Sequence, residues 1–194
     1  MADLAAHAAT EALSPAVVVC LIIVATTLHS TSTLAEAALW ACVVLLFGVV
    51  FPMSFVYYGI RRGWWNDRHV NTRARRRWPF AVCLASVAIG TLVILSAGGP
   101  KAMAVLGSAM GATLAVLWAI TDRGKWKVSV HTVVAVVGAG ILTLLHGVAA
   151  AVIAWPLAAV VAWSRIHLRD HTPAQVAVGA LIGVTAMAAF ALPR

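Results

Sequence analysis

Charge is what this sequence has least of. Only 10% of its 194 residues are Asp, Glu, Lys or Arg, and just 6 are acidic, whereas an ordinary soluble domain is about 25% charged. Apolar side chains make up 62% of the chain. So few charges cannot cover the apolar surface of a water-exposed globule of this length, so lipid must solvate much of the exterior. Cysteine is scarce too: Cys20, Cys42 and Cys83 stand singly inside apolar runs, without paired or metal-ligand spacing, and read as small core residues rather than disulfides or ligands. No linker, repeat or low-complexity tract divides the chain, so one integral membrane domain over 1–194 is expected. The net charge of +8 would suggest nucleic acid in a soluble protein. Here the basic residues sit in short loops between apolar runs, so nucleic acid is not an expected partner and the bilayer is.

The charge-free runs are Pro15 to Leu28, Ala37 to Ile60, Trp78 to Pro100, Ala102 to Thr121, Val128 to Trp163 and His171 to Pro193. A membrane span needs about 20 apolar residues. The run from Val128 to Trp163 is 36 residues, about 54 Å as one helix and too long for a hydrocarbon core of about 30 Å. It is expected to split near His146 and Gly147. The first run lacks a basic leader and a small-residue cleavage site followed by a polar mature chain, so it is read as a span rather than a signal peptide. These readings predict an all-α, polytopic bundle of six to seven transmembrane helices. Three polar loops, around Arg61 to Arg77, Asp122 to Lys127 and Ser164 to Asp170, hold 12 of the 14 basic residues. The excess of positive charge places that face in the cytoplasm of a multi-pass cell-membrane protein, unless the arginines serve a substrate instead. Ser30 to Glu36 and Gly98 to Lys101 would lie on the opposite face.

The same three places carry the residues suited to chemistry. In the first, helical spacing lets Arg68 and Arg75, or Arg73 and Arg77, point into one anion site; the plain alternative is a solvated basic loop touching anionic headgroups. Pro79 is placed to open the next helix. In the second, Lys127, Ser129 and His131 lead straight into an apolar helix. A phosphate there would meet unpaired backbone N–H groups and the positive end of a helix dipole, with Lys127 and Ser129 as further donors. His131 would stand at its edge, or serve simply as an interfacial histidine. In the third, His171 and Gln175 are four apart, so a helix starting near Thr172 and Pro173 stacks them on one face and lets the amide orient the imidazole. Arg165 offers a planar fork suited to phosphate oxygens. His167, Asp170 and His171 share no helical face well, so no metal is expected.

Ser164-Arg165, five residues, His171, three residues and Gln175 resembles the third signature of the membrane type 2 phosphatidic acid phosphatase family, Ser-Arg, five residues, His, three residues, Asp. Lys127-Val128-Ser129-Val130-His131 is similar to its second signature, Pro-Ser-Gly-His, often preceded by Lys. Arg68, six residues and Arg75 keep the basic spacing of the first signature without its Lys or Pro. The resemblance covers 61–183. It implies His171 as the nucleophile that forms a phosphohistidine, His131 as the acid that protonates the leaving oxygen, and Gln175 as the orienting group. It further implies Arg68, Arg75, Lys127, Ser129, Ser164 and Arg165 as phosphate ligands, with no cofactor. A neutral imidazole is a workable nucleophile near neutral pH, and phosphoryl transfer asks chiefly for positioning and positive charge.

Two departures bear on activity. Gln175 stands where the family has Asp, and an amide orients an imidazole without stabilising an imidazolium as a carboxylate does. Val130 stands where the family has Gly, and its Cβ keeps the backbone from closing on a phosphate. The expected function is hydrolysis of a lipid phosphate or diphosphate, such as a polyprenyl phosphate or a phosphatidic acid-like substrate. The alternative is a non-catalytic headgroup-binding or assembly protein that keeps a degenerate phosphatase site.

Overall fold

The computed structural model describes residues 1–65, 75 and 77–191. Every regular element among them is helical: α1 (Ala2–Ala12), α2 (Pro15–Ser30), α3 (Leu34–Leu45), a π-helical turn (Leu46–Val50), α4 (Phe51–Arg61), α5 (Arg77–Ser96), α6 (Lys101–Asp122), α7 (Val130–His146), α8 (Val148–His167) and α9 (Pro173–Ala191). The all-α class is thus the observed one. Five segments are each long and apolar enough to cross a membrane, namely Leu34–Arg61, α5, α6, α8 and α9, and a sixth is added if α1 and α2, bent by 44°, act as one. α7 is a shorter apolar helix of 17 residues. On the long helices Leu92, Ile153 and Leu181 are each more than 60% exposed, as expected of side chains solvated by lipid.

Local chemistry explains the boundaries. The 36-residue apolar run breaks at Gly147, whose φ of 72° lies in the left-handed region that glycine enters without a Cβ penalty. Thr33 caps α3 by accepting from the Glu36 amide at 3.2 Å, while the Glu36 carboxylate accepts from Ser32 N. The π turn precedes Pro52, which has no N–H to give to the carbonyl four residues back, so the helix widens locally instead of kinking apart. Pro79 occupies the first turn of α5, where its missing N–H costs no intrahelical bond. The helix α1 has no counterpart in the apolar-run reading, because only Ala6 and Thr10 on it are buried.

Two compact units divide the chain, one from Met1–Ala25 with Val128–Arg194, the other from Thr26–Lys127. The segment 61–183 draws on both. In the second unit α5 packs on the π turn, where Gly90 meets Phe47 Cβ and Ser86 Oγ donates to Phe47 O at 2.6 Å.

In the first unit α8 returns antiparallel to α7, with Ala135, Ala139, Ala158 and Val161 in one buried cluster and Trp155 Nε1 donating to Thr143 Oγ1 at 3.2 Å. The crossover through α8 lets α9 lie parallel to α7. Gly179 sits on Ser129 and Thr132, Gly183 on Val133 and Val136, and Gly140 on Met187, so the contacts advance in the same direction along both helices. Gly179 and Gly183 are four apart, the small-residue spacing that lets membrane helices approach to backbone contact.

A Cβ on Gly183 would lie 2.8 Å from Val136 Cβ and 2.9 Å from Val133 O. Gly183→Ala is therefore expected to destabilise the protein by about 1–3 kcal/mol through overpacking. Gly111→Ala is the control, since its nearest neighbours are 3.9 Å and 4.0 Å away and the change gains up to about 1 kcal/mol of helix propensity. Thermal unfolding of the two variants in detergent checks the contrast.

Candidate functional site

The third polar segment becomes the turn between α8 and α9. Leu168 ends α8, Arg169 takes φ 55°, and His171 N reaches back to donate to Arg165 O at 3.1 Å. This left-handed closure satisfies orphan carbonyls of the last turn of α8. Arg165 is 2% exposed. Its Nη2 pairs with Asp170 Oδ2 at 2.6 Å and its Nη1 donates to Thr10 Oγ1 at 3.2 Å, while its Nε is buried without a partner among the described residues. The guanidinium thus clamps the turn to its own Asp170 and to α1. Ser164 is fully buried and belongs to the same tie, donating to Val161 O at 2.8 Å and sharing a hydrogen bond of 3.1 Å with Thr10 Oγ1.

His171 and Gln175 come together as the spacing predicted, with Nδ1 and Oε1 3.1 Å apart. Gln175 also has a second role. Thr172 caps α9: its Oγ1 accepts from Gln175 N at 3.3 Å, and Gln175 Oε1 accepts from Thr172 N at 3.2 Å. This is a capping box, with Pro173 in the first helical position. The box decides the imidazole's tautomer. A backbone N–H only donates, so the amide atom facing Thr172 N must be the oxygen, and an amide oxygen only accepts. Nδ1 of His171 must therefore carry the proton, which leaves the lone pair of the neutral ring on Nε2.

The second segment builds the start of α7. Ser129 is its N-cap, fully buried, and its Oγ accepts from Thr132 N at 3.4 Å and Thr132 Oγ1 at 2.9 Å. His131 is the second residue of α7 and is 7% exposed, with its Nε2 buried. The starts of α7 and α9 are joined directly: Ser129 N donates to Gln175 O at 3.4 Å, and a Cβ on Gly179 would lie 2.9 Å from Ser129 O. Two helix N-termini therefore share one end of the first unit, each bringing roughly half a positive charge from its dipole. His131 and His171 sit on those two starts, a setting suited to an anionic group.

The remaining predicted ligands are not among the described residues of the first unit. Lys127 and Arg75 belong to the second unit, where Arg75 Nη1 donates to Trp64 O at 2.6 Å. Arg68 and Arg73 lie outside the described residues. The three side chains weighed as metal ligands each meet a different partner: His167 meets Asp3 at 2.8 Å, Asp170 meets Arg165, and His171 meets Gln175. The sequence placed Thr172 near the start of α9 without naming it as the cap, and Thr10 was not singled out. Thr172 was readable as the opening of a Thr-x-x-Gln box. Thr10 carried no local signal, because its partners lie 154 and 155 residues away.

No protein-family model, curated protein or solved structure matches this chain.

The tautomer is open to measurement. Nitrogen-15 spectra of histidine-labelled protein, taken where His171 is neutral, should show a protonated Nδ1 and a bare Nε2. Gln175→Ala should release that preference, while Thr172→Ala should cost about 1 kcal/mol of stability through the lost cap. A protonated Nε2 in the unaltered protein would contradict the assignment.

Proposed function

We propose that this chain is a membrane lipid phosphatase, a divergent member of the type 2 phosphatidic acid phosphatase kind, acting on a polyprenyl phosphate or diphosphate or a phosphatidic acid-like lipid. The observation that carries the reading is the hydrogen bond of 3.1 Å that holds His171 Nδ1 on Gln175 Oε1, because with Nδ1 as the donor Nε2 is the basic nitrogen of the neutral ring. Nε2 attacks phosphorus and forms an N–P bond as the P–O bond to the lipid breaks, and His131 gives the leaving oxygen its proton. Water activated by His131 then attacks the phosphohistidine, releasing inorganic phosphate and restoring His171. The helix N-termini and the buried Arg165 supply the positive field that the transferring group requires. The substrate's tail stays in the bilayer, which explains why the site sits at the end of lipid-facing helices. The α8–α9 turn is assigned to the cytoplasmic side of the cell membrane by the positive charge of the loops.

A second reading, a headgroup-binding protein without turnover, draws on two contacts. Gln175 Oε1 is shared between His171 and the cap of α9, and the Arg165 fork is already engaged with Asp170 and Thr10. Both are structural uses of residues that an enzyme would reserve for orienting its nucleophile and for holding phosphate.

Phosphate release by purified protein from a panel of prenyl and glycerolipid phosphates, with chelator present, separates the readings. The enzyme reading expects release that His171→Ala lowers by at least ~10³-fold and that His131→Ala lowers most for poor leaving groups. Undiminished hydrolysis by His171→Ala would overturn the mechanism, and lipid retention without any release would favour the binding protein.

A further inference from the structure

The second unit carries an aromatic and basic platform at the end of α4. α4 ends at Arg61, and the chain turns through Gly63 at φ 72°, with Gly63 N donating to Ile60 O and Trp64 N to Gly59 O, both at 2.9 Å. This closure folds Trp65 back onto α4. The indole is 4% exposed, it donates from Nε1 to Val56 O at 2.9 Å, and it fills the space where Gly59 has no Cβ. Trp65 thereby anchors a cluster in which the Trp64 ring centroid lies 6.1 Å from that of Phe55 and 5.6 Å from that of Tyr58. Tyr58 and Trp64 are each 47% exposed.

Two guanidiniums are fastened to this cluster. Arg62 Nε donates to Tyr58 Oη at 3.1 Å, and its Cζ lies 5.2 Å from the centre of the Tyr58 ring. Arg75 Nη1 donates to Trp64 O at 2.6 Å. Each arginine spends one nitrogen on the platform. The two terminal nitrogens of Arg62, and Nε with Nη2 of Arg75, make no other bond among the described residues. α5 runs back antiparallel from Arg77, so exposed Arg77 and Trp78 stand at the same end of the unit.

Exposed Tyr and Trp rings at the end of an apolar span mark the level of the headgroups, and cations there face the phosphodiesters of an anionic leaflet. Arginine suits that partner better than lysine, since its planar fork matches two phosphate oxygens. A helix C-terminus alone also favours cations, but it does not account for an arginine stacked on a ring with its outer nitrogens unbonded among the described residues. We infer that Arg62 and Arg75, held on the Tyr58–Trp64 platform, form a binding site for the headgroup of an anionic phospholipid. Occupancy of the site would fix the depth at which this end of the unit sits in the bilayer.

The test uses the full chain in dodecyl maltoside, with retained lipid counted by native mass spectrometry during titration with phosphatidylglycerol, phosphatidylcholine or inorganic phosphate. Phosphatidylglycerol should be retained about tenfold better than phosphatidylcholine, a preference that joint replacement of Arg62→Gln and Arg75→Gln removes. Lys101→Gln, which deletes one charge away from the platform, should leave it unchanged. Tyr58→Leu and Arg62→Lys both keep the net charge, yet each should weaken phosphatidylglycerol retention. If Tyr58→Leu does not fold, Arg62→Lys carries the comparison. Wild-type retention by these charge-preserving variants, or equal retention of the two lipids, would reduce the platform to diffuse charge and overturn the inference. Displacement of phosphatidylglycerol by millimolar inorganic phosphate would also overturn it, since that marks a free-anion site.

Discussion

The near-contact of α9 with α7 is the constraint on which the candidate site depends. Gly179 and Gly183 bring one helix so close to the other that a methyl group at either position would meet a backbone carbonyl 2.9 Å away. Hydrophobic burial does not drive such packing in a bilayer, where lipid tails are as apolar as the helices; dispersion between closely fitted surfaces does. A crossover through α8 makes the pair parallel, and parallel helices put their N-termini together. The joined starts then bring the positive ends of two helix dipoles to the same end of the unit as His131 and His171.

The turn above this seam shows how few residues serve several purposes at once. Gln175 caps α9 and orients His171 through one oxygen. Arg165 closes the α8–α9 turn with its carbonyl, holds Asp170 with one nitrogen and ties α1 through Thr10 with another. Neutral hydrogen bonds inside such a network are each worth about 1 kcal/mol, but an uncompensated buried guanidinium is costly. Asp170 is thus first of all the partner that makes burial of Arg165 affordable. Arg165 Nε is buried without a partner among the described residues.

Much of this architecture was legible because it follows from local chemistry. Charge-free runs marked the apolar helices, Gly147 marked the break in the longest one, and the i to i+4 spacing of His171 and Gln175 anticipated their hydrogen bond. Less local features were not read. α1 buries only two small or polar residues, so its apolar pattern is faint. Thr10 meets Ser164 and Arg165 across most of the chain's length, a separation that periodicity does not carry. The parallel seam was written in Gly179 and Gly183, yet a pair of glycines in an apolar helix names no partner until the fold supplies Ser129 and Val136. The pattern Ser164-Arg165 suggested a phosphate fork; the contacts of both side chains with Thr10, and of Arg165 with Asp170, were not readable from it.

The central claim is that His171 Nε2 carries a phosphoryl group during turnover. Acid-sensitive, base-stable phosphate on the protein, trapped by rapid denaturation during hydrolysis of a phosphorus-32 lipid phosphate and mapped by peptide mass spectrometry, tests it most directly. The account predicts label on the peptide containing His171, lost in His171→Ala and chased by unlabelled substrate. Sustained phosphate release with no covalent label, or label on a different residue, would contradict it.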